Sequence, residues 1–122
     1  AAIDKNAFAG CSKLKKVTAS GSKITTVAES AFSGDKALTS IDLSKSRITT
    51  IGKNAFSGDK KLKTIKINAN ALKKVGKNAF KNIKKKATIT IYAKDKKTYN
   101  KAVKFIKKSG AKNVKYKFKK KK

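Results

Sequence analysis

Proline, histidine, methionine and tryptophan are absent from these 122 residues, and cysteine (Cys11) and arginine (Arg47) occur once each. Without histidine and with a single cysteine, neither a zinc cluster nor an intrachain disulfide can form. Acid is also scarce: Asp4, Glu29, Asp35, Asp42, Asp59 and Asp95 are the six carboxylate side chains, scattered along the chain. General acid–base chemistry needs a histidine or a pair of carboxyl groups with separated pKa values. The expectation is therefore a non-enzymatic chain, with no catalytic residue, no cofactor and no metal site. No apolar run reaches the ~18 residues of a membrane helix, so no membrane span is expected.

What is plentiful is lysine. The 34 Lys+Arg against six acids give a formal net charge of +28. The excess is uneven: residues 1–60 carry +5 and residues 61–122 carry +23. Lysine is a hydrated point charge on a flexible stem, whereas arginine offers a planar fork that reads phosphates and base edges. Such a field attracts polyanions without reading them finely, and it weakens as salt is added.

The chain repeats itself. Asx/Ser-Ala-Phe triplets place phenylalanine at Phe8, Phe32, Phe56 and Phe80, always 24 residues apart. Other apolar columns keep the same phase: Leu14/Leu38/Leu62, Val17/Ile41/Ile65/Ile89, Ala19/Leu43/Ile67/Ile91, Ile24/Ile48/Leu72 and Ile3/Val27/Ile51/Val75. Segments such as Leu62 to Ile67 end in period-two alternation, the mark of a half-buried strand. The Ala-Phe triplet, with Ser or Asn ahead of it as a cap and Gly34 or Gly58 behind, predicts one short helical turn. The pair typified by Ile48 and Ile51 brings the chain back across the core. One such unit cannot bury its own apolar face, so the units must stack.

These residues resemble a known family. Leu38-x-x-Ile41-x-Leu43 followed by Ile48-x-x-Ile51-Gly52-x-x-Ala55-Phe56-x-Gly58 is similar to the BspA-like leucine-rich repeats, and the resemblance covers residues 3 to 91. It implies a leucine-rich-repeat solenoid of α/β class with a curved parallel sheet. It further implies a module of secreted or cell-surface proteins for which adhesion to host or other cell-surface proteins is the usual role. Two departures stand out: Ser44 and Asn68 occupy a position often held by proline, and Asp35 and Asp59 one often held by cysteine.

The 24-residue pattern stops after Ile91. Asp95 predicts a helix cap ahead of Tyr99, Ala102, Val103 and Ile106 on one face, with Gly110 just beyond. Val114, Tyr116 and Phe118 then alternate with polar residues. A strand at 88–92, a helix at 96–108 and a strand at 113–118 make a βαβ cap, and Lys119 to Lys122 are expected to fray. Residues 1–92 thus read as repeats and 93–122 as a C-terminal helix-strand cap with a basic tail. The chain opens in the middle of a unit at Ala1, which suggests a piece of a longer protein with possible self-association at an open N-terminal end.

Two surfaces are candidates for binding. Outward strand positions stack into Lys16/Ser40/Thr64/Thr88, Thr18/Asp42/Lys66/Thr90 and Ser20/Ser44/Asn68/Tyr92, a polar face suited to an extended protein partner. Lys73, Lys74, Lys84, Lys85, Lys86, Lys107 and Lys108 are candidates for contact with an acidic polymer, such as a cell-wall polymer, a sulfated glycan or nucleic acid. Asp35 and Asp59 share a loop column in which Asp is expected to start a turn and pair with the lysines that follow.

Overall fold

The computed structural model describes residues 2–3, 13–18 and 24–121. Its elements are β1 (Ala2–Ile3), β2 (Lys16–Thr18), β3 (Thr26–Val27), β4 (Ser40–Leu43), β5 (Thr50–Ile51), β6 (Thr64–Asn68), β7 (Lys74–Val75), β8 (Thr88–Ala93), α1 (Lys96–Lys108) and β9 (Lys115–Lys120). The strands form two parallel sheets, ordered β2-β4-β6-β8-β9 and β1-β3-β5-β7.

Within the repeats every strand pairs with the residue 24 positions later, as in Ile41↔Ile65↔Ile89 and Ile3↔Val27↔Ile51↔Val75. Each period of the sequence is therefore one coil, and the return segment pairs as well as the main strand. The return segment, read from sequence only as a crossing, forms a second ladder. Two residues per coil are too few to show an alternating pattern.

A third set of hydrogen bonds joins the coils through the Ala-Phe segment. The N–H groups of Ser30, Phe32 and Gly34 donate to the carbonyls of Lys53, Ala55 and Ser57 at 2.9 Å each. One coil on, Asn54, Phe56 and Gly58 donate to Lys77, Ala79 and Lys81 at 3.0, 2.8 and 2.9 Å. The intervening amides turn back within the coil, Ala31 N–H to Ala28 O and Ser33 N–H to Ser30 O. Every second donor thus serves the neighbour and the others close the turn, which satisfies backbone groups that burial would otherwise penalise.

This arrangement corrects the expected helical turn. Residues 29–34 and 53–58 are hydrogen-bonded turns with no helix, and Ser30, Asn54 and Asn78 are not caps. They adopt left-handed backbone at φ of 56°, 58° and 62°. Asparagine tolerates that region better than most side chains. The residues expected as glycine closures, Gly34 and Gly58, are left-handed too, at 70° and 80°, and Asn82 takes the equivalent place in the next coil at 61°.

The core runs as a column down the stack. Phe32, Phe56 and Phe80 are fully buried, with Phe32–Phe56 centroids 5.4 Å apart and nearly parallel, and Phe56–Phe80 centroids 5.2 Å apart. Phe8 lies outside the described residues. Leu38, Leu62, Ile41, Ile65 and Ile89 fill the space between this column and the sheet. Fully burying each such side chain contributes about 1.5–3 kcal/mol, so every coil adds a comparable increment only when its neighbour is present.

The cap ends the stack much as expected. The Asp95 carboxylate accepts the Thr98 N–H at 2.8 Å, Ala102 and Ile106 are buried, and Tyr99 and Val103 pack on the core. The helix closes at Ser109, whose carbonyl accepts the Phe80 N–H at 3.4 Å, and so stands in for the missing next coil.

The last strand starts later and ends later than the alternation predicts, and β8 extends one residue further, to Ala93. Lys119 and Lys120 do not fray. They pair with Tyr92 and Ala93, the Lys121 N–H donates to Ala93 O at 2.8 Å, and the Lys121 ammonium donates to Ser44 O at 2.8 Å. Backbone pairing is indifferent to charge when the side chains can point into water, which is why a lysine run can complete a strand here. Lys122 is outside the described residues.

Close stacking leaves no room for side chains at two positions. A Cβ on Gly52 would meet the Glu29 backbone nitrogen at 2.6 Å, and one on Gly76 would collide with the Lys53 backbone nitrogen. Backbone cannot yield as a flexible side-chain end would. Gly52→Ala and Gly76→Ala are each expected to cost about 2–3 kcal/mol in urea unfolding, whereas Gly34→Ala, with nothing within 4 Å, should cost less through its positive φ alone.

Candidate functional site

The outward side of the five-stranded sheet is the broadest regular surface. Register places Lys16, Ser40, Thr64, Thr88 and Lys115 in one row and Thr18, Asp42, Lys66, Thr90 and Lys117 in the next. Lys16 and Thr18 are exposed; Ser40, Asp42, Thr64, Lys66 and Thr88 are half-buried. Thr90 is a correction: at 7% exposure it is buried, a short side chain flanked in its row by Lys66 and Lys117. Lys115 and Lys117 were not singled out from sequence, and Lys119 was read only as part of the terminal basic cluster, yet all three extend the same face. The alternation from residue 113 onward carried that signal.

The third expected row is also corrected. Ser44 and Asn68 are buried, and Ser20 is outside the described residues. Both begin or close tight turns. The Asp42 carboxylate accepts the Ser44 N–H at 2.9 Å and its hydroxyl at 2.6 Å, and the Asn68 side-chain oxygen accepts the Asn70 N–H at 3.0 Å. The tail crosses here, since Asn70 donates to Lys121 O at 2.8 Å while Lys121 reaches back to Ser44. Partial burial alone would raise the Asp42 pKa, but the two Ser44 hydrogen bonds, aided by Lys66 and Lys45, hold it below the usual carboxylate range. Asp42 is therefore first of all a turn residue.

The lysines named from sequence all reach solvent: Lys73, Lys74, Lys84, Lys85, Lys86, Lys107 and Lys108 are exposed. They divide between the return edge at β7, the turn after the fourth phenylalanine and the end of α1. Lys107 and Lys108 also face the negative end of the helix dipole. Two clefts lie nearby, about 350 Å³ over Ala69, Leu72 and Phe105 with Lys94, Lys97 and Lys101 at its rim, and about 420 Å³ over Phe80 and Ile83 with Lys81, Lys85 and Lys112. Among the described residues no three Cys, Asp or Glu side chains gather to hold a metal. No helix among them is long and apolar enough to cross a membrane.

Asp35 and Asp59 are interior residues, not the exposed turn positions expected from sequence. Both are fully buried, stacked one coil apart, and the Asp59 carboxyl accepts the Asp35 N–H at 2.8 Å. The next residue in the column is Ile83, itself buried, so the position is an interior one. Cys11, the preceding member, is outside the described residues. Burial pushes the Asp59 pKa up to about 8, and the Asp35 charge adds to the rise while the Asp35 N–H offsets part of it. By contrast, hydrogen bonds from Thr98, side chain and backbone, hold Asp95 below the usual range.

The Asp59 shift sets a pH dependence. Its folded-state pKa lies above its unfolded value of 3.8, so the folded form binds the proton more tightly. The stabilisation is complete below pH 3.8 and is lost as pH rises toward about 8. Thermal melting is expected to fall across that window. Asp59→Asn, which keeps the acceptor and removes the charge, should flatten the profile and raise the melting temperature at pH 8 by about 5 °C or more.

Comparison with known proteins accords with this geometry. Residues 1–109 match the family model for the BspA type leucine-rich repeat region, in six copies. No curated protein and no solved structure matches the chain. Such repeats are generally protein-interaction modules, typically without enzymatic activity and typically found on surfaces or secreted. With 24-residue coils in register, phenylalanines stacked along their axis and a match over most of its length, the chain belongs to the BspA-type leucine-rich repeat family.

Proposed function

We propose that this chain is an adhesion or interaction module of a secreted or cell-surface protein, holding an extended segment of a host or cell-surface protein on the outward sheet face. Residues 1–92 supply the repeat strands of the face, and residues 93–122 cap the stack and add β9 at its margin. The observation that carries this reading is the in-register polar surface across the four strands β2, β4, β6 and β8, with Lys16, Thr18, Ser40, Thr64, Lys66 and Thr88 repeating at one-coil spacing. Repeat solenoids use such surfaces because neighbouring coils present equivalent contacts along a line. Asp42 and Thr90 belong to the rows but contribute mainly shape, one tied to Ser44 and the other buried. Labelled chain binding to cultured epithelial cells tests the reading. Thr64→Trp combined with Lys66→Glu should reduce binding about tenfold or more with circular dichroism unchanged, and full retention would place the site elsewhere.

A second reading is favoured by the exposure of all seven candidate lysines: attachment to an acidic polymer through Lys73, Lys74, Lys84, Lys85, Lys86, Lys107 and Lys108. The contact would be driven by counterion release and read little chemistry. On a heparin column, replacing Lys84, Lys85, Lys86, Lys107 and Lys108 by glutamine should lower the eluting salt concentration. An unchanged elution point would remove these lysines from the contact.

A further inference from the structure

The five-stranded sheet ends at β9, and among the described residues no strand pairs with its far side. The direction of the free groups follows from the ladder. The N–H groups of Lys115 and Lys121 donate to Ala87 and Ala93, at 2.7 and 2.8 Å, so odd-numbered residues of β9 face β8. In a strand, the N–H and C=O of one residue point the same way and successive residues alternate. The backbone groups of Tyr116, Phe118 and Lys120 therefore face the open edge.

The side chains along this edge are sorted by face. Lys115, Lys117 and Lys119 point outward, continuing the polar rows, and all three are exposed. Tyr116 and Phe118 share the inner face with Ile89 and Ile91, their register partners. The helix covers that face incompletely. Tyr116 is half-buried, while Phe118, whose ring lies tilted against Tyr99 with centroids 5.0 Å apart, stays 36% exposed, the one large apolar side chain so exposed among the described residues. An edge of this kind offers a row of hydrogen-bonding groups, a row of positive charge and an unfinished apolar layer, all with a period of two residues.

We propose that the free edge of β9 accepts an extended acidic peptide from a protein partner as a sixth strand, with acidic side chains beside Lys115, Lys117 and Lys119 and apolar ones over Tyr116 and Phe118. Strand addition of this kind takes its affinity from the main chain and its selectivity from alternate side chains. Charge decides the occupant. A second copy of this chain would bring the region around β2, with Lys13, Lys15 and Lys16, against an already basic edge, and like charges on adjacent strands repel. An acidic strand about 4.8 Å away gains from the same field. The site shares the lysine rows at the margin of the broad face, but it is built on the open backbone edge of β9 and does not depend on what the middle of that face binds.

A fluorescein-labelled synthetic peptide alternating glutamate and valine, followed by anisotropy at low salt, tests the proposal. Binding should protect the amides of Tyr116, Phe118 and Lys120 from hydrogen exchange. N-methylation of one alternate set of peptide residues should weaken binding about tenfold or more, while methylation of the other set, pointing away, should not. Lys120→Pro, which removes one edge N–H without touching the β8 ladder, should weaken binding relative to Lys120→Thr, which has the same charge. Absence of binding, equal binding of both methylated peptides with the unmodified one, or protection confined to other lysine-rich segments would overturn the proposal, the last two by reducing the contact to charge alone.

Discussion

A coil of 24 residues in this chain has almost nothing to hold it together except the coil above and the coil below. Its main strand, its return strand and its Ala-Phe turn each direct backbone groups along the stack, and its phenylalanine finds its aromatic partners in neighbouring coils. Register between coils is therefore the constraint on which the other features depend. It explains why glycine stands at Gly52 and Gly76, where backbones pass too close for a side chain. It also explains the left-handed Ser30, Asn54 and Asn78, which aim alternate amides at the next carbonyl.

The extreme charge is compatible with this architecture because coil stacking needs only inward columns to be apolar. Outward positions are free to carry lysine, and self-repulsion is spread over a long surface. The few acids serve mainly local structure. Asp95 starts the cap helix, Asp42 holds a turn, and Asp59 joins one coil to its neighbour from inside the stack. The cost of the last arrangement appears in the raised Asp59 pKa. The ends of the stack are treated differently from its middle. At the C-terminal end α1 and β9 cover the last coil, but β9 leaves a fresh edge that only its lysines guard.

Much of this was legible in the sequence because a strict period converts one reading into several. Phe32, Phe56 and Phe80, or Ile41, Ile65 and Ile89, identify a shared environment even when a single residue would be ambiguous. The cap helix was legible for a local reason, since Asp95, the apolar face of Ala102 and Ile106, and Gly110 all point to one segment. Harder to see was the interior place of Asp35 and Asp59, because Gly-Asp-Lys has the composition of an exposed turn. The buried Ile83 in the same column was the available contrary signal. The return ladder was hidden by its brevity, and the reach of β9 to Lys120 by a lysine run that resembles a loose tail. For the candidate face, row membership was readable but burial was not: Thr90, Ser44 and Asn68 lie under longer neighbours or a crossing tail.

The most direct test of the account is removal of one whole coil. Excising residues 45–68, one 24-residue period, keeps every column in phase, whereas excising 20 residues from the same place does not. If coils are stacked in register, the in-phase deletion should fold with the circular dichroism shape of the full chain and a lower melting temperature, and the out-of-phase deletion should be unfolded. Equal loss of structure in both would contradict the stacked-coil account.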